Sequence, residues 1–455
     1  MSDLKYFSFK ALLQDEEWIS PAYVGVDVNG IVQYLSKKPP LQSVAVEAIQ
    51  GFALPGFQNA HSHAFQFAMA GHAEKHEPGT ADDFWSWREA MYNCALTMDP
   101  DQMESIATML YAEMLRKGYT HVAEFHYLHH DKHGNHYSNL AEMGERLVSA
   151  AMTAGIKITL VPVFYQKGNF GVDAYPKQRR FISKSVDDYL QLLDDSANVV
   201  LNQDHARLGF GVHSLRAVDA NDIVKTFETG PKNIPFHLHA AEQLKEIADC
   251  VNFLKQRPVE WLLDHLPLDN RFHLVHCTHM ESDEVKRLAK TEANVVLCPG
   301  TEGNLGDGIF KLSEFAKEGG HWSIGTDSHI SLNPLEDLRW LDYAQRFTTH
   351  KRNTFDDGAN VLIGKTIRSG RKAMGLEQSK FFEIGKPFDA VVYNALSPLL
   401  MQTDLRNTLP AILYTADAYD ILGTLVNGRW IVKDQHHMGE REIVKKFSEL
   451  RLATK

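Results

Sequence analysis

The sequence predicts an α/β chain, a (β/α)8 TIM-like barrel carrying a small β-sandwich-like domain formed by both chain ends. Three observations lead there. From about Gly51 onward, short runs rich in Val, Ile, Leu and Phe alternate with longer stretches of helical period, the pattern of repeated βα units around a parallel sheet. Eight such runs can be counted, the number that closes a barrel. The length of 455 residues exceeds the ~250 of an ordinary α/β barrel, which leaves room for a second, smaller domain.

Taken in order, the runs fall at 51–58, 120–127, 157–166, 207–215, 234–242, 272–280, 293–299 and 321–328. Helix-like segments lie between them at 102–117, 139–154, 184–193, 243–254, 282–290 and 334–346. The flanks read as short β pieces at 23–28, 31–34, 388–392 and 421–432, the last with Asn427-Gly428 as a hairpin turn. The expected division is therefore a β-rich domain from 1–50 plus 385–455 and a barrel over 51–384. Repeats, low-complexity tracts and long linkers are absent from the sequence.

Composition narrows the function classes. A net charge of −11 disfavours nucleic acid or an anionic membrane as a partner. The amino-terminal stretch through Asp15-Glu16-Glu17 has no apolar core of a signal peptide, and no window reaches the ~18 apolar residues of a membrane span, so a cytoplasmic protein is expected. Cys94, Cys250, Cys277 and Cys298 form no C-x-x-C pair and read as buried thiols.

The chain carries 23 histidines, and a few of them fall where a barrel keeps its chemistry, at the carboxyl ends of strands. His61-Ser62-His63 follows the first run, His239 closes the fifth, His276 lies on the sixth and Asp327 ends the eighth. Imidazoles and one carboxylate gathered on that face make a site for a borderline divalent metal with room for water. Other histidines have plainer readings. His237, two residues before His239, belongs one layer deeper as a hydrogen-bonded core residue. His126, His129, His130, His133 and His136 read as a solvated polar loop, and His273 and His279 as lying off the face of His276 or past its strand. His329 suits the pocket or its supporting layer.

The spacing from strand 1 to strands 5, 6 and 8 resembles the amidohydrolase superfamily, over nearly the whole chain. Binuclear members of that superfamily bridge two metals from strand 3 or 4. Strand 4 here has no Lys or acid after Arg207, and Lys157 lies at the start of strand 3, so one divalent ion is expected, held by His61, His63, His239 and Asp327. The resemblance implies that a metal-bound hydroxide attacks a C=N carbon while Glu242, three residues after His239, shuttles a proton to the nitrogen. It also implies that Asp327 takes the proton from water and that His276 polarises or positions the water.

Longer strings are similar to the formimidoylglutamate deiminase branch. They are His61-Ser62-His63-Ala64-Phe65-Gln66, Phe84-Trp85-Ser86-Trp87-Arg88-Glu89-Ala90-Met91-Tyr92, Thr301-Glu302-Gly303-Asn304-Leu305-Gly306-Asp307-Gly308 and Gly325-Thr326-Asp327-Ser328-His329. That family releases ammonia from N-formimidoyl-L-glutamate in histidine breakdown, usually with zinc and as a homodimer. A dicarboxylate substrate calls for arginine forks, for which Arg88 and Arg216 are the candidates. Gln66, Tyr127 and His213 lie near strand ends and suit the remaining polar groups of such a substrate. Two positions depart from the family pattern: Phe67 stands where a basic residue is expected, and 299–303 is unusually glycine-rich. The rival readings are a deaminase of a purine-type ring amidine such as guanine, and a metal-free barrel serving as a scaffold.

Overall fold

The computed structural model describes residues 4–41, 43–74 and 83–450. Eight parallel strands follow one another around the barrel in chain order. They are Phe57–Ser62, Tyr119–His126, Lys157–Phe164, Phe210–Ser214, Phe236–Ala240, Phe272–His276, Asn294–Leu297 and His321–Ile324. Ala206–Leu208 pairs alongside the third. Helices fill every crossover, among them Pro100–Arg116, Glu142–Ala154 and Val186–Val200, and Pro334–Thr349 follows the last strand. Local chemistry sets their ends. Asp99 caps the helix that begins with Pro100, accepting from the Gln102 amide, and Gly155 stops the next helix in a left-handed turn at φ 82°. Among the described residues no helix is long and apolar enough to cross a membrane.

Seven of the eight strand junctions are backbone ladders; the closing one is not. Between the last strand and the first, a bridge of Ser62 to Asp327 is joined by bonds from the Thr326 and Asp327 amides to the His61 carbonyl, each 3.0 Å. The Asn59 side chain completes the seam: its oxygen accepts from the Thr326 amide at 2.9 Å and its nitrogen donates to the Thr326 hydroxyl at 2.7 Å. Gly325 sits against His61 so closely that a Cβ there would lie 2.7 Å from the His61 Cβ.

A second, nine-stranded sheet draws on both ends of the chain. Val46–Pro55 lies at its centre, parallel to Lys5–Gln14 on one side and antiparallel to Ala390–Asn394 on the other. The hairpin of Ile421–Val426 and Arg429–Lys433 turns at Asn427 and Gly428, both with positive φ, as the sequence suggests. The first apolar run proves to be two strands. Its opening residues finish Val46–Pro55 in the second sheet, and the barrel begins only at Phe57, after Gly56.

The barrel floor is polar. The chain at 373–374 crosses beneath it, with the Thr159 hydroxyl donating to the Met374 carbonyl at 3.1 Å and His237 Nε2 donating to the Ala373 carbonyl at 3.2 Å. His237 and His273 stack at 4.7 Å, and Asn294 bonds both His273 and Ser323. His237 is thus the expected hydrogen-bonded core residue, whereas His273 shares the barrel interior with it rather than lying off that face. Burial pushes His237 down to about 4 and His121 and His273 well below the ordinary 6.5, so all three are neutral in the fold. Unfolding lets them take up protons below about pH 6.5. Their contribution to stability should therefore be level above that pH and fall as pH drops from 6.5 toward 4. In urea titrations between pH 7 and 5, His237→Gln should remove one proton from this dependence, about 1.4 kcal/mol per pH unit of slope; an unchanged slope contradicts the assignment.

Candidate active site

Four donors converge at the carboxyl end of the barrel. His61 Nε2 lies 3.1 Å from both His63 Nε2 and His239 Nε2, and Asp327 Oδ1 lies 3.2 Å from His63 Nε2 and 3.6 Å from His61 Nε2. His61 and His63 alternate with Ser62 on strand 1, which turns both rings inward. The His63 Nδ1–H donates to the Phe125 carbonyl at 2.9 Å and the His239 Nδ1–H to the His213 carbonyl at 3.0 Å. These bonds fix the tautomers and leave the Nε2 lone pairs aimed at one another. Burial, reinforced by the neighbouring His63, pushes His61 down to about 3, so no proton is available to relieve the contact. Three imidazole nitrogens and one carboxylate oxygen, all buried, are the donor chemistry of a divalent ion of the zinc class, and the set fits one.

Beside these donors stand the acid and base groups. Glu242 Oε1 lies 3.8 Å from His276 Nε2, and Asp327 Oδ2 lies 3.7 Å from the same nitrogen. Burial raises the Glu242 carboxyl above its usual range against the opposing pull of His276 and Arg216. Burial would lower His276, but the charge of Glu242, the bond to Glu302 and the charge of Asp327 outweigh it and hold the imidazole up to about 10. A proton is therefore kept within this group at neutral pH. The backbone that aims these side chains is left-handed at Ala241 (φ 52°), His276 (73°), Cys277 (53°), Asp327 (48°) and His329 (68°). Each such non-glycine residue costs on the order of 1–3 kcal/mol, strain that clusters where chemistry needs a fixed geometry.

The pocket over the donors is lined by every residue expected to bind substrate: Gln66, Arg88, Tyr127, His213 and Arg216. Gln66 Nε2 donates to the Tyr127 hydroxyl at 3.0 Å. The helix Phe84–Thr97 brings Arg88 over the site, stacked on Trp85 at 4.4 Å, while Arg216 packs on Phe84 at 5.3 Å and reaches Glu242 at 3.3 Å. Arg88 Nε, Arg216 Nη1 and Gln66 Oε1 are buried without a protein partner.

Residues 52–431 match the model of the amidohydrolase family. The chain belongs to that family. It is 39% identical to formimidoylglutamate deiminase of Pseudomonas aeruginosa over 450 residues, covering 98% of each chain. It is similar to the crystal structure of an amidohydrolase from Brucella melitensis, with 35% identity, a TM-score of 0.90 and 98% of each chain covered. A zinc-bound adenosine deaminase from Xanthomonas campestris shares the fold at a TM-score of 0.80 and 18% identity, over 98% of this chain and 97% of that one.

Three residues of this amidohydrolase that the sequence reading passed over support the site. Glu124, on strand 2, accepts from the Ser62 hydroxyl and the Ala64 amide, each at 2.6 Å, and from the Tyr111 hydroxyl at 3.0 Å. It thereby clamps the segment that carries His61 and His63. Glu302 receives the His276 Nδ1–H at 3.2 Å and the Cys298 amide at 2.9 Å. Asn59 is the third, through the seam. The string containing Glu302 stood out in the sequence, but nothing in it revealed the bond to His276. Of the histidines after strand 2, His126, His129 and His130 are buried, not solvated; His129 and His130 donate to the Val163 and Ile182 carbonyls at 2.9 Å. Only His133 and His136 are exposed as expected. Lys157 pairs with Asp389 at 2.6 Å at the far end of the barrel, away from the donors. His329 bonds the Thr326 hydroxyl at 2.9 Å and supports the seam. Glu124→Ala should strand three buried donors and destabilise the protein by about 3 kcal/mol or more. It should also speed metal loss to a chelator; release at the wild-type rate would show that the clamp does not hold the metal-binding segment.

Proposed function

We propose that this amidohydrolase hydrolyses N-formimidoyl-L-glutamate to N-formyl-L-glutamate and ammonia, using one divalent ion, zinc by its donor chemistry, on His61, His63, His239 and Asp327. The observation that carries the reading is the pair of arginines with buried, unmatched donor atoms, Arg88 and Arg216, above a four-donor set beside Glu242. The formimidoylglutamate deiminase of Pseudomonas aeruginosa, similar over nearly the whole chain, supports it. A purine-type ring would offer no carboxylate to either guanidinium group, which disfavours the ring-amidine reading.

When bound, the cation supplies Lewis acidity that brings a water toward a pKa of ~7. The rest falls to the chain. Arg88 and Arg216 clamp the two carboxylates, and Gln66, Tyr127 and His213 fix the polar stem, so that the formimidoyl carbon lies over the donor set. Water adds across the C=N bond: oxygen to carbon, one proton to nitrogen from Glu242. Asp327 takes a proton from the water and His276, held by Glu302, orients it. Breaking the C–N bond then expels ammonia as Asp327 passes its proton to the departing nitrogen; the hydroxyl proton returns to Glu242 and the oxygen remains as the formyl carbonyl.

Metal-replete protein should release one ammonia per N-formimidoyl-L-glutamate; no release from this substrate ends the proposal. Glu242→Gln should keep its metal, read by elemental analysis, and lose ~10²–10⁴-fold in kcat. Arg88→Met should raise KM and cut kcat/KM roughly 10–100-fold, the worth of a charge-assisted bond. Purines tested in parallel should yield no ammonia.

A further inference from the structure

A second set of donors lies against the first. His276, Cys298 and Asp327 are buried, and their ligand atoms fall within 4.8 Å of one another. We propose that these three residues form a second, inhibitory site for a borderline-soft divalent cation such as zinc or cadmium. The inhibitory part rests on the functional reading above, in which His276 and Asp327 move and orient protons; the binding part does not.

The geometry at His276 carries the proposal. Its Nδ1 faces Glu302 at 3.2 Å, and its Nε2 is fully buried with no hydrogen-bond partner. A carboxylate on one ring nitrogen and no partner on the other is the arrangement of a metal-ligating histidine once an ion displaces the Nε2 proton. Asp327 Oδ2 lies 3.7 Å from that Nε2, too far for a hydrogen bond. Two donors sharing one ion at ~2.0–2.2 Å with a tetrahedral angle stand roughly 3.4 Å apart, a spacing the pair reaches with a small shift. Cys298 supplies the soft third ligand at the end of strand 7, held by its amide's bond to Glu302. Burial, and then the charges of Asp327, Glu302, Asp337 and Glu242, push the Cys298 thiol well above its usual range, so an ion entering among these carboxylates has to displace its proton.

Binding would replace the thiol proton of Cys298 and the Nε2 proton of His276, both of which leave to solvent. Asp327 would then be shared between two ions, and His276 would no longer be free to orient the reacting water. One ion per chain should therefore be active and two inactive. Free zinc above the level that fills the first site would throttle the enzyme without competing for substrate.

The test uses zinc-loaded holoenzyme dialysed against rising free zinc, with metal content and ammonia release read together. Wild type should pass from one to two zinc per chain and lose at least tenfold in activity. Cys298→Ser and Cys298→Ala should stop at one zinc and stay active in the same excess. Cadmium titration of the wild type should produce thiolate-to-metal absorption only with the second equivalent, a readout that needs neither variant to fold. A ceiling of one metal in wild type, a second equivalent without thiolate absorption, or equal zinc inhibition of the serine variant would each overturn the proposal. If ammonia release fails at one equivalent, the functional reading falls while the stoichiometry still decides the second site.

Discussion

The arrangement of this molecule hangs on the seam between the last barrel strand and the first. Elsewhere the barrel is joined by ladders that any apolar strand can make. At the seam the strands run too close for a side chain at Gly325, and Asn59 substitutes for missing backbone bonds. The close approach delivers Asp327 to His61 and His63, because the amides of Thr326 and Asp327 are both fastened to the His61 carbonyl. The same contact that closes the fold thus completes the donor set. Structural closure and metal binding are one constraint, and a change at Asn59 or Gly325 acts on both.

Around the seam, buried charge is arranged in opposing pairs. Glu242 faces Arg216 on one side and His276 on the other; His276 in turn is bracketed by Glu302 and Asp327. A carboxylate without a partner at this depth would be several kcal/mol unfavourable, so each acid is tolerated only because a cation or a donor stands opposite. A carboxylate substrate on Arg216 would compete with Glu242 for the same guanidinium. Occupation of the pocket and the proton affinity of the acid are thereby linked through one side chain.

Much of this was legible in the sequence. Eight apolar runs gave the barrel, and histidines and one aspartate at their ends gave the donors, because strand alternation and barrel topology leave few places for them. The failures share physical causes. Val46–Pro55 and Phe57–Ser62 merged into one run because only Gly56 separates them and both are buried. Glu124 was hidden inside an apolar strand, where its only marker is the charge itself. His126, His129 and His130 looked like loop residues because their composition is polar, yet all three are buried, and carbonyl acceptors offset the burial of His129 and His130. Most opaque of all was the left-handed backbone at His276 and Asp327, since nothing in a non-glycine residue announces a positive φ.

The position of Val46–Pro55 in the terminal sheet has a consequence for how the chain is made. One edge of this strand can pair with Lys5–Gln14 as soon as both have left the ribosome, but its other edge is assigned to Ala390–Asn394. Throughout synthesis of the whole barrel, a largely apolar edge therefore stands bare, open to any strand that meets it. The carboxyl-terminal strands act as a late cover. A nascent or truncated chain that stops short of them would carry a complete barrel and yet be prone to aggregate, so survival in the cell depends on residues that never approach the active site.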